Sequence, residues 1–266
     1  MSDDAIPGID LSRPSIARTY DYLIGGKDNY AVDREFGDEF IVKLPGAVQI
    51  AIDNRHALVR AIGDIAAHTD IRQFIDFGSG LPTADNVHQV AERHTSEARV
   101  VYIDNDPIVL AHGRALLAEN AQTTVVQADI RDPRAIRENP ELLRLIDFGR
   151  PVGVILSAVL HHLNDDEDPY GVMRYWREAV PSGSYFFISH FRSRRDPESA
   201  KLEGLLQGSL GRGRWRTDEE IAALFDGLDI LEPGIKPAAE WRPRLEHRSG
   251  LTIWQQLLVA GLAVKP

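Results

Sequence analysis

The sequence predicts an α/β fold built on a doubly wound, mostly parallel β-sheet. From residue 72 onward, short β-branched runs alternate with segments of helical length, which is the pattern of a parallel sheet flanked by helices. Several of these runs end in acidic residues or glycines, and ligands bind at the carboxyl ends of strands in such sheets. The length of 266 residues suits one large domain, or one domain with an appendage.

Residues 1–70 are predicted to form an N-terminal helical cap segment. Its first 13 residues are polar and are expected to be loosely attached. Pro14 is expected at the first position of a helix that runs through SIARTYDYLIGG, where Gly25 and Gly26 end it. The next two helices of this segment are predicted at 33–43 and 47–68.

Residues 71–266 are predicted to form the sheet domain, with seven strands. Five apolar runs supply the parallel strands, and they lie in QFIDFGSG, ARVVYIDND, TTVVQADI, PVGVILSAVLHHL and GSYFFISHF. The predicted helices of this domain are Thr83–His94, Pro107–Asn120, Arg134–Asp147, Pro169–Val180 and Asp218–Phe225. Two late strands are predicted at 229–232 and 255–263, and the longer one is expected to run antiparallel at or near the sheet edge.

The composition excludes several classes of function. The chain has no cysteine, which rules out disulfides, thiolate zinc sites, iron–sulfur clusters and cysteine nucleophiles. Its formal net charge of -10 disfavours a nucleic-acid partner. No apolar run reaches membrane-spanning length and the acidic start lacks a signal-peptide pattern, so we expect a cytoplasmic protein with no membrane partner.

A glycine-rich turn follows the first predicted strand. Gly78 and Gly80 would let a ligand approach the backbone amides, although a tight turn that needs glycine only for packing has the same pattern. A dinucleotide-binding turn would have a third glycine where Thr83 stands. The preceding Asp76 would repel a pyrophosphate but attract an ammonium group, so the turn suits a zwitterionic ligand better.

Acidic residues also follow the second and third predicted strands. Asp104 lies 24 residues after Gly80, close to the spacing at which an acid accepts hydrogen bonds from ribose hydroxyls. Asn105 lies beside it, and the segment could instead only cap the helix that Pro107 begins. Asp129, after the third strand, could contact an adenine or could be a solvated loop acid.

Two histidines follow the fourth predicted strand. His161 and His162 lie between Ser157 and an acidic run, which invites a metal or an acid–base interpretation. Adjacent histidines in an extended segment point in opposite directions and no HxxxH spacing exists, so we predict no metal site. One histidine is expected to pack in the core and the other to line the cleft.

The motifs at the strand ends resemble those of the class I S-adenosylmethionine-dependent methyltransferases. The matching positions are the acid–glycine turn Asp76–Gly80, the acids Asp104 and Asp129, and the segment Ser157–His161. A narrower resemblance covers essentially the whole chain: RPSIARTYDYLIGGKDNYAVDRE, DFGSGLPT and VLHH are similar to the motifs of an actinobacterial methyltransferase-like family formerly labelled a domain of unknown function. Pro82 departs from the class pattern, in which many members have a third glycine.

The resemblance implies a Rossmann-like fold, S-adenosylmethionine as cofactor and methyl transfer. It does not supply a substrate, and we expect a small-molecule acceptor. On this basis we expect the methionine part at Gly78 and Gly80, the ribose at Asp104, and the adenine at Asp129 with Ile130. Asp76, Asn105 and Ser157 complete this predicted set. The candidates for a catalytic base are His161, His162 and Tyr20. The alternatives are an NAD-dependent oxidoreductase, which Thr83 and Asp76 disfavour, and a non-catalytic sensor or partner-binding module on the same fold.

The N-terminal motif is expected to close over the strand ends and to contact the cofactor. Its aromatic and flexible residues are Tyr20, Tyr22, Gly26, Asn29 and Tyr30, and its cations Arg13, Arg18 and Lys27 could hold a carboxylate. The alternative is that the tyrosines only pack the helices and the glycines only turn the chain.

The arginines near Trp215 have two interpretations. They are Arg192, Arg194, Arg195, Arg212, Arg214 and Arg216. On an acidic protein we expect surface ion pairs with nearby acids, and binding of RNA or an anionic substrate is the alternative. The glycine-rich stretch 200–216 around them is a candidate mobile lid.

Overall fold

The computed structural model describes residues 12–116, 120–194, 197–243 and 250–266. The predicted loose attachment of residues 1–13 therefore concerns, up to residue 11, a segment outside the described residues. Arg195 also lies outside them. Among the described residues, no helix is long and apolar enough to cross a bilayer.

One mixed sheet organises the chain. Its strands are β1 Gln73–Phe77, β2 Arg99–Asp104, β3 Thr123–Gln127, β4 Gly153–Ser157, β5 Tyr185–Phe191, β6 Asp229–Ile230, β7 Lys236–Pro237 and β8 Leu258–Val264. The order is β3-β2-β1-β4-β5-β8-β6, and β7 also pairs with β8. Strands β1 to β5 are parallel, whereas β8 runs antiparallel to β5, β6 and β7. The doubly wound, mostly parallel fold is confirmed.

The prediction of seven strands was wrong by one. The additional strand is β7, whose two residues pair with β8. A pairing of two residues, one of them a proline, has no alternating pattern that a sequence could show. The last strand begins at Leu258, because residues 255–257 form a turn of 3-10 helix instead.

The helices follow the predicted order with altered ends. They are α1 Ile16–Leu23, α2 Ala31–Lys43, α3 Ala47–His68, α4 Val87–Glu92, α5 Pro107–Leu116, α6 Pro133–Arg137, α7 Pro140–Leu145, α8 Pro169–Ala179, α9 Pro197–Leu210 and α10 Asp218–Ala223. Helix α1 begins after Ser15, whose hydroxyl accepts from the Arg18 amide, so Pro14 lies before the cap and not inside the helix. The predicted helix 134–147 is divided in two because Pro140 begins a new helix at α7.

The predicted boundary at residue 70 lies between α3 and β1, but the core crosses it. Ile62 and Ile65 of α3 are buried in the same apolar cluster as Phe74 of β1 and Phe187 of β5. A second cluster fills the opposite face, where Trp176 of α8 is fully buried. Helix α3 is therefore part of the sheet domain's core, and α1 and α2 are the elements that extend beyond it.

A buried ion pair joins the N-terminal helices. Arg18 Nε lies 2.7 Å from the carboxylate of Asp33, and both side chains are almost completely buried. The Ser15 hydroxyl donates to Asp106 Oδ2 at 2.5 Å, which connects the start of α1 to the loop after β2. These contacts hold α1 beside the carboxyl ends of the parallel strands.

Candidate functional site

A cavity of about 620 Å³ lies at the carboxyl ends of the parallel strands. Residues that follow β1, β2, β3 and β4 form one part of its wall, and α1, α2, α3 and α9 contribute to the other. The predicted residues that line it are Tyr20, Asp76, Gly78, Gly80, Asp104, Asn105, Asp129, Ile130, Ser157, His161 and His162. Its volume lies in the range of small-ligand pockets.

The turn after β1 and the acid after β2 are joined directly. Asp104 Oδ2 accepts a hydrogen bond of 2.9 Å from the Gly80 amide, and Asp104 Oδ1 accepts one of 2.9 Å from the Asp106 amide. Burial raises the pKa of Asp104, and the backbone hydrogen bonds oppose that rise. Gly80 has a φ of +66° and open space where a Cβ would lie, so the backbone there is accessible to a ligand. The carboxylate and the glycine turn therefore form one rigid unit.

Asp76 and Arg55 lie beside this unit. Asp76 belongs to the buried strand β1 and lies on the cavity wall. Among the described residues, no group donates a hydrogen bond to its carboxylate. Burial raises the pKa of Asp76 to about 7, and the charge of Arg55 partly offsets the shift. Arg55 itself donates to the Ala84 and Asp85 carbonyls at 3.0 and 2.7 Å. A carboxyl group and a guanidinium thus face the same end of the cavity.

Asp129 lines the cavity but already has a cationic partner. Arg131 Nε lies 2.9 Å from Asp129 Oδ1, and the same arginine contacts Glu167 at 2.5 Å. The hydrogen bond from Arg131 lowers the pKa of Asp129. If Asp129 contacts an adenine as predicted, its carboxylate must bind the adenine and Arg131 together. The adjacent Ile130 also lines the cavity.

A buried polar network lies where α1 and α3 meet the ends of β4 and β5. Asn54 Nδ2 donates to the Ser157 hydroxyl at 3.2 Å and to the Tyr20 hydroxyl at 3.3 Å, and Asn54 Oδ1 accepts from Ser189 at 2.6 Å. Tyr20 in turn donates to the Ala51 carbonyl at 2.9 Å, and burial raises its pKa. Because its proton is already engaged, Tyr20 is poorly placed to act as a base.

The two histidines after β4 are both on the cavity wall. Their rings are 4.4 Å apart, and burial lowers the pKa of His162 to about 4 and that of His161 well below its ordinary value. His161 Nδ1 accepts a long hydrogen bond of 3.4 Å from the Phe191 amide. Among the described residues, neither ring nitrogen of His162 has a hydrogen-bond partner. His162 is therefore the neutral imidazole that can accept a proton or a hydrogen bond from a ligand.

A third histidine lies behind the first two, and sequence reasoning missed it. His190 Nδ1 is 2.6 Å from the Phe191 carbonyl, and His190 Nε2 is 3.1 Å from Nη1 of Arg216. This pattern requires a neutral ring that donates from Nδ1 and accepts at Nε2. Burial lowers the pKa of His190 to about 3, and the charge of Arg216 adds to the shift.

We expect His162 to remain neutral throughout the range from pH 8 to pH 5, because burial of an imidazolium without a carboxylate partner is unfavourable. Histidine ring resonances recorded against pH by NMR will measure this, with His162→Gln to assign the signal. The urea-denatured protein is the control, where the same histidine should titrate near the ordinary value of about 6.5. A midpoint near 6.5 in the folded protein would show that the ring is solvated.

Four predicted residues of the N-terminal motif lie outside the cavity wall: Tyr22, Gly26, Asn29 and Tyr30. The Tyr22 hydroxyl donates to Asp38 at 2.6 Å on the surface, and Asn29 donates to Asp21 at 2.9 Å. A side chain at Gly26 would collide with the Asp21 carboxylate. Tyr30 packs in a small apolar cluster with Ala17 and Leu81. The structure places these four residues where they shape the turn between α1 and α2.

Four of the arginines near Trp215 are paired with acids, as the first interpretation predicted, although one of them, Arg216, is buried and not at the surface. Arg192 contacts Asp218, Arg212 contacts Glu167, and Arg214 contacts Asp165 and Glu220. Arg216 is fully buried, and its guanidinium contacts Asp165 at 3.1 Å and the Leu160 carbonyl at 3.1 Å. Most of the stretch 200–216 is helix α9, and Leu206 and Arg212 from it line the cavity.

Three residues that contribute to the site were not predicted from the sequence. Asn54 and Arg55 belong to α3 and His190 to β5, elements whose prediction rested on apolar residues. The signal that could have found the first two is the polar run Asp53-Asn54-Arg55, which interrupts the apolar stripe of α3. The side chains of Asn54 and Arg55 reach the strand ends because α3 crosses the sheet there.

The fold and the site together define an α/β protein with a ligand cavity at the carboxyl ends of its parallel strands, a glycine turn after β1 and an acid at the end of β2. Comparison with protein families assigns the chain more closely: a family described as S-adenosyl methyltransferase matches residues 2–266. The chain belongs to this family, and its cofactor is S-adenosyl-L-methionine.

Two solved structures resemble the chain over nearly its whole length. A candidate methyltransferase from Thermobifida fusca YX is 43% identical with a TM-score of 0.94 and covers 99% of each chain. A DUF574 family protein from Streptomyces avermitilis MA-4680 is 36% identical with a TM-score of 0.92, over 97% of this chain and 99% of that one. A search of curated proteins found no match.

A more distant structure shares the fold alone. The N-methyltransferase NodS from Bradyrhizobium japonicum WM9, in complex with S-adenosyl-L-homocysteine, is 12% identical with a TM-score of 0.50. It covers 94% of this chain and 99% of that one. The protein is thus an S-adenosylmethionine-dependent methyltransferase on a class I fold.

Proposed function

We propose that the protein transfers the methyl group of S-adenosylmethionine to a small-molecule acceptor held between the N-terminal helices and the strand ends. The observation that carries this proposal is the division of the cavity. Its wall at the ends of β1, β2 and β3 is polar and acidic, whereas its wall from α2, residues 47–51 of α3 and β8 is apolar. A single enclosed space with two such ends suits a polar donor beside a separate acceptor.

The residues after β1 and β2 fit the donor. Arg55 Nε and Ser79 Oγ are buried polar atoms on this wall that have no hydrogen-bond partner among the described residues, which points to a polar ligand. Asp104 would hold the ribose hydroxyls with its remaining lone pairs, and Ile130 would cover the adenine. When bound, the cofactor supplies an electrophilic methyl group.

Arg55 is the residue we propose for the cofactor's carboxylate, because it is a cation beside the glycine turn. Arg55→Met should weaken binding of S-adenosylhomocysteine by about tenfold or more, as expected for a lost charged hydrogen bond. Binding of 5′-methylthioadenosine, which lacks the amino-acid part, should be nearly unchanged in the same calorimetric titrations. An equal loss for both ligands would show that Arg55 only supports the loop at Ala84 and Asp85.

His162 is the proposed proton acceptor in the acceptor half of the cavity. Its ring is neutral and unpartnered, so it could orient a hydroxyl or N–H group. It would take the proton of that group when the methyl passes from the cofactor's sulfur to the acceptor atom, which would leave S-adenosylhomocysteine. His161 is positioned by the Phe191 amide, and Tyr20 is held by the Ala51 carbonyl. These two residues are proposed to shape the wall beside His162.

The two alternative functions gain no support. The matching family and the two similar solved structures are methyltransferases or methyltransferase-like proteins and lend no support to an NAD-dependent oxidoreductase. A non-catalytic sensor would need a donor pocket without acceptor space, but the cavity extends beyond the donor residues to Phe36, Phe40 and Leu258.

Transfer of a radioactive methyl group tests the proposal. The protein is incubated with methyl-labelled S-adenosylmethionine and a heat-inactivated extract of Thermobifida fusca cells, which is then separated by size into small molecules and macromolecules. We expect label in the small-molecule fraction with the wild-type protein and none with Asp104→Ala. Label only in the macromolecular fraction would contradict a small-molecule acceptor.

A further inference from the structure

The half of the cavity away from the donor residues has an almost entirely apolar wall, and we call it the acceptor chamber. Its wall comes from six elements: α1, α2, α3, β5, α9 and β8. The apolar residues are Leu23, Phe36, Phe40, Ile50, Ala51, Leu58, Phe191, Leu206 and Leu258. All of them except Phe191 and Leu206 are buried, so this surface is enclosed by protein.

The described charged residues on the cavity wall are either paired, as Arg18 is with Asp33 at 2.7 Å, or lie at the donor end, as Arg13 and Arg55 do. The four carboxylates on the cavity wall, at positions 76, 104, 106 and 129, all lie at or just after the carboxyl ends of β1, β2 or β3, at the donor end. Arg212 reaches the chamber from the end of α9, but its guanidinium lies 3.3 Å from the carboxylate of Glu167. Burial keeps both His161 and His162 neutral. A charged ligand would therefore lose its hydration without gaining a counter-ion.

The polar groups at the chamber's boundary leave few open hydrogen-bonding positions. Asn54 and the Tyr20 hydroxyl are satisfied within the network that joins them to Ser157 and Ser189. Among the described residues, the Thr19 hydroxyl of α1 and the ring of His162 have no partner. A ligand that fills the chamber would meet these two groups and an otherwise apolar surface.

We propose that the acceptor chamber binds an uncharged, largely apolar molecule, with a hydroxyl or N–H group hydrogen-bonded to His162. This proposal rests on the proposed function, since it names the class of acceptor that the donor would methylate. Apolar contact supplies the affinity and the hydrogen bond to His162 orients the nucleophile. Sugars, amino acids and nucleotides are excluded because their charges or many hydroxyls would be buried without partners.

Binding of naphthalene derivatives to the protein saturated with S-adenosylhomocysteine tests the proposal by calorimetry. The probe is 2-naphthol, and its charged counterparts are 2-naphthoate and naphthalen-2-ylmethylammonium. We expect 2-naphthol to bind at least about tenfold more tightly than either ion. Failure of 2-naphthol to bind, or equal binding of an ion, would overturn the proposal.

Variants locate the binding. Ile50→Trp on α3 and Leu206→Trp on α9 should each fill the chamber and weaken 2-naphthol binding at least about tenfold, and two elements are used in case one variant does not fold. Leu143→Trp, at an exposed position of α7, is the matched control and should bind as the wild type does. His162→Phe should weaken binding of 2-naphthol but not of 2-methylnaphthalene, which lacks the hydroxyl.

The titrations separate failure of this inference from failure of the proposed function. Binding of S-adenosylhomocysteine is measured first for the wild type and for every variant. If the wild-type protein does not bind it, the donor site itself is wrong. If the donor binds and the two chamber variants still bind 2-naphthol as tightly as Leu143→Trp does, the acceptor chamber is not the site of binding and the inference is wrong.

Discussion

Replacing Asp104 by alanine is expected to lower the affinity for S-adenosylmethionine and S-adenosylhomocysteine by at least about a hundredfold. The carboxylate is proposed to accept two hydroxyl hydrogen bonds from the ribose, and each bond to a charged group contributes about 1.5–3 kcal/mol. The same carboxylate holds the Gly80 and Asp106 amides at 2.9 Å, so its removal also loosens the glycine turn. Both effects reduce affinity.

Isothermal calorimetry with S-adenosylmethionine, S-adenosylhomocysteine and NAD in parallel measures this result. Asp229→Ala, at an exposed position of the edge strand β6, is the matched control and should leave the affinities unchanged. Retention of wild-type affinity by Asp104→Ala would mean that the ribose is held elsewhere. Binding of NAD by the wild-type protein in place of the two sulfur ligands would contradict the donor site.

Replacing Asp76 by asparagine is expected to stabilise the ligand-free protein at pH 8 and to weaken cofactor binding. The pKa of Asp76 is about 7 in the folded protein against an ordinary value of 3.8. The folded state therefore holds a proton that the unfolded state releases as the pH rises from about 4 to 7, and stability falls over that range. The loss of unfolding free energy is complete above pH 7 and has an upper limit of about 4 kcal/mol.

Thermal unfolding between pH 5 and pH 8 measures the predicted gain. The melting temperature of Asp76→Asn should exceed that of the wild type at pH 8, and the difference should shrink toward pH 5, where the wild-type carboxyl is protonated. Asp70→Asn, an exposed position just before β1, should show no such pH-dependent difference. A constant difference at all pH values would show that the carboxyl is not buried in its charged form. Weaker cofactor binding by the stabilised variant would indicate that this buried charge is retained for the ligand's ammonium group.

The fold was predictable because its signals are local. Each β-branched run and each amphipathic helix can be recognised within about ten residues, and alternation of the two leads to a parallel sheet by chain connectivity. The errors lie where a local pattern is too short or is overridden. Strand β7 has only two residues, and α4 begins at Val87 and not at residue 83 because Asn86 and Gln89 form a capping box there.

That the residues proposed to bind the donor lie together was predictable for the same reason. Asp76, Gly80 and Asp104 stand at or just after the carboxyl ends of strands, and parallel strands bring those ends to one edge of the sheet. The N-terminal motif was harder to interpret, because a tyrosine that lines a cavity and one that packs on the surface have the same sequence pattern. Tyr20 lies on the cavity wall whereas Tyr22, two residues later, faces the opposite side of α1 and contacts Asp38.

The sequence by itself determined the order of strands and helices, the glycine turn and the acids at the strand ends, since these depend on residues close together in the chain. Only the tertiary structure decided which polar residues of α3 reach the strand ends, that Arg131 engages Asp129, and that His162 is left unpartnered. Those properties depend on contacts between residues far apart in the chain. Asn54 and Ser189, for example, are joined by a hydrogen bond of 2.6 Å across 135 positions. Burial and pairing set the charge of a site, and both are consequences of packing.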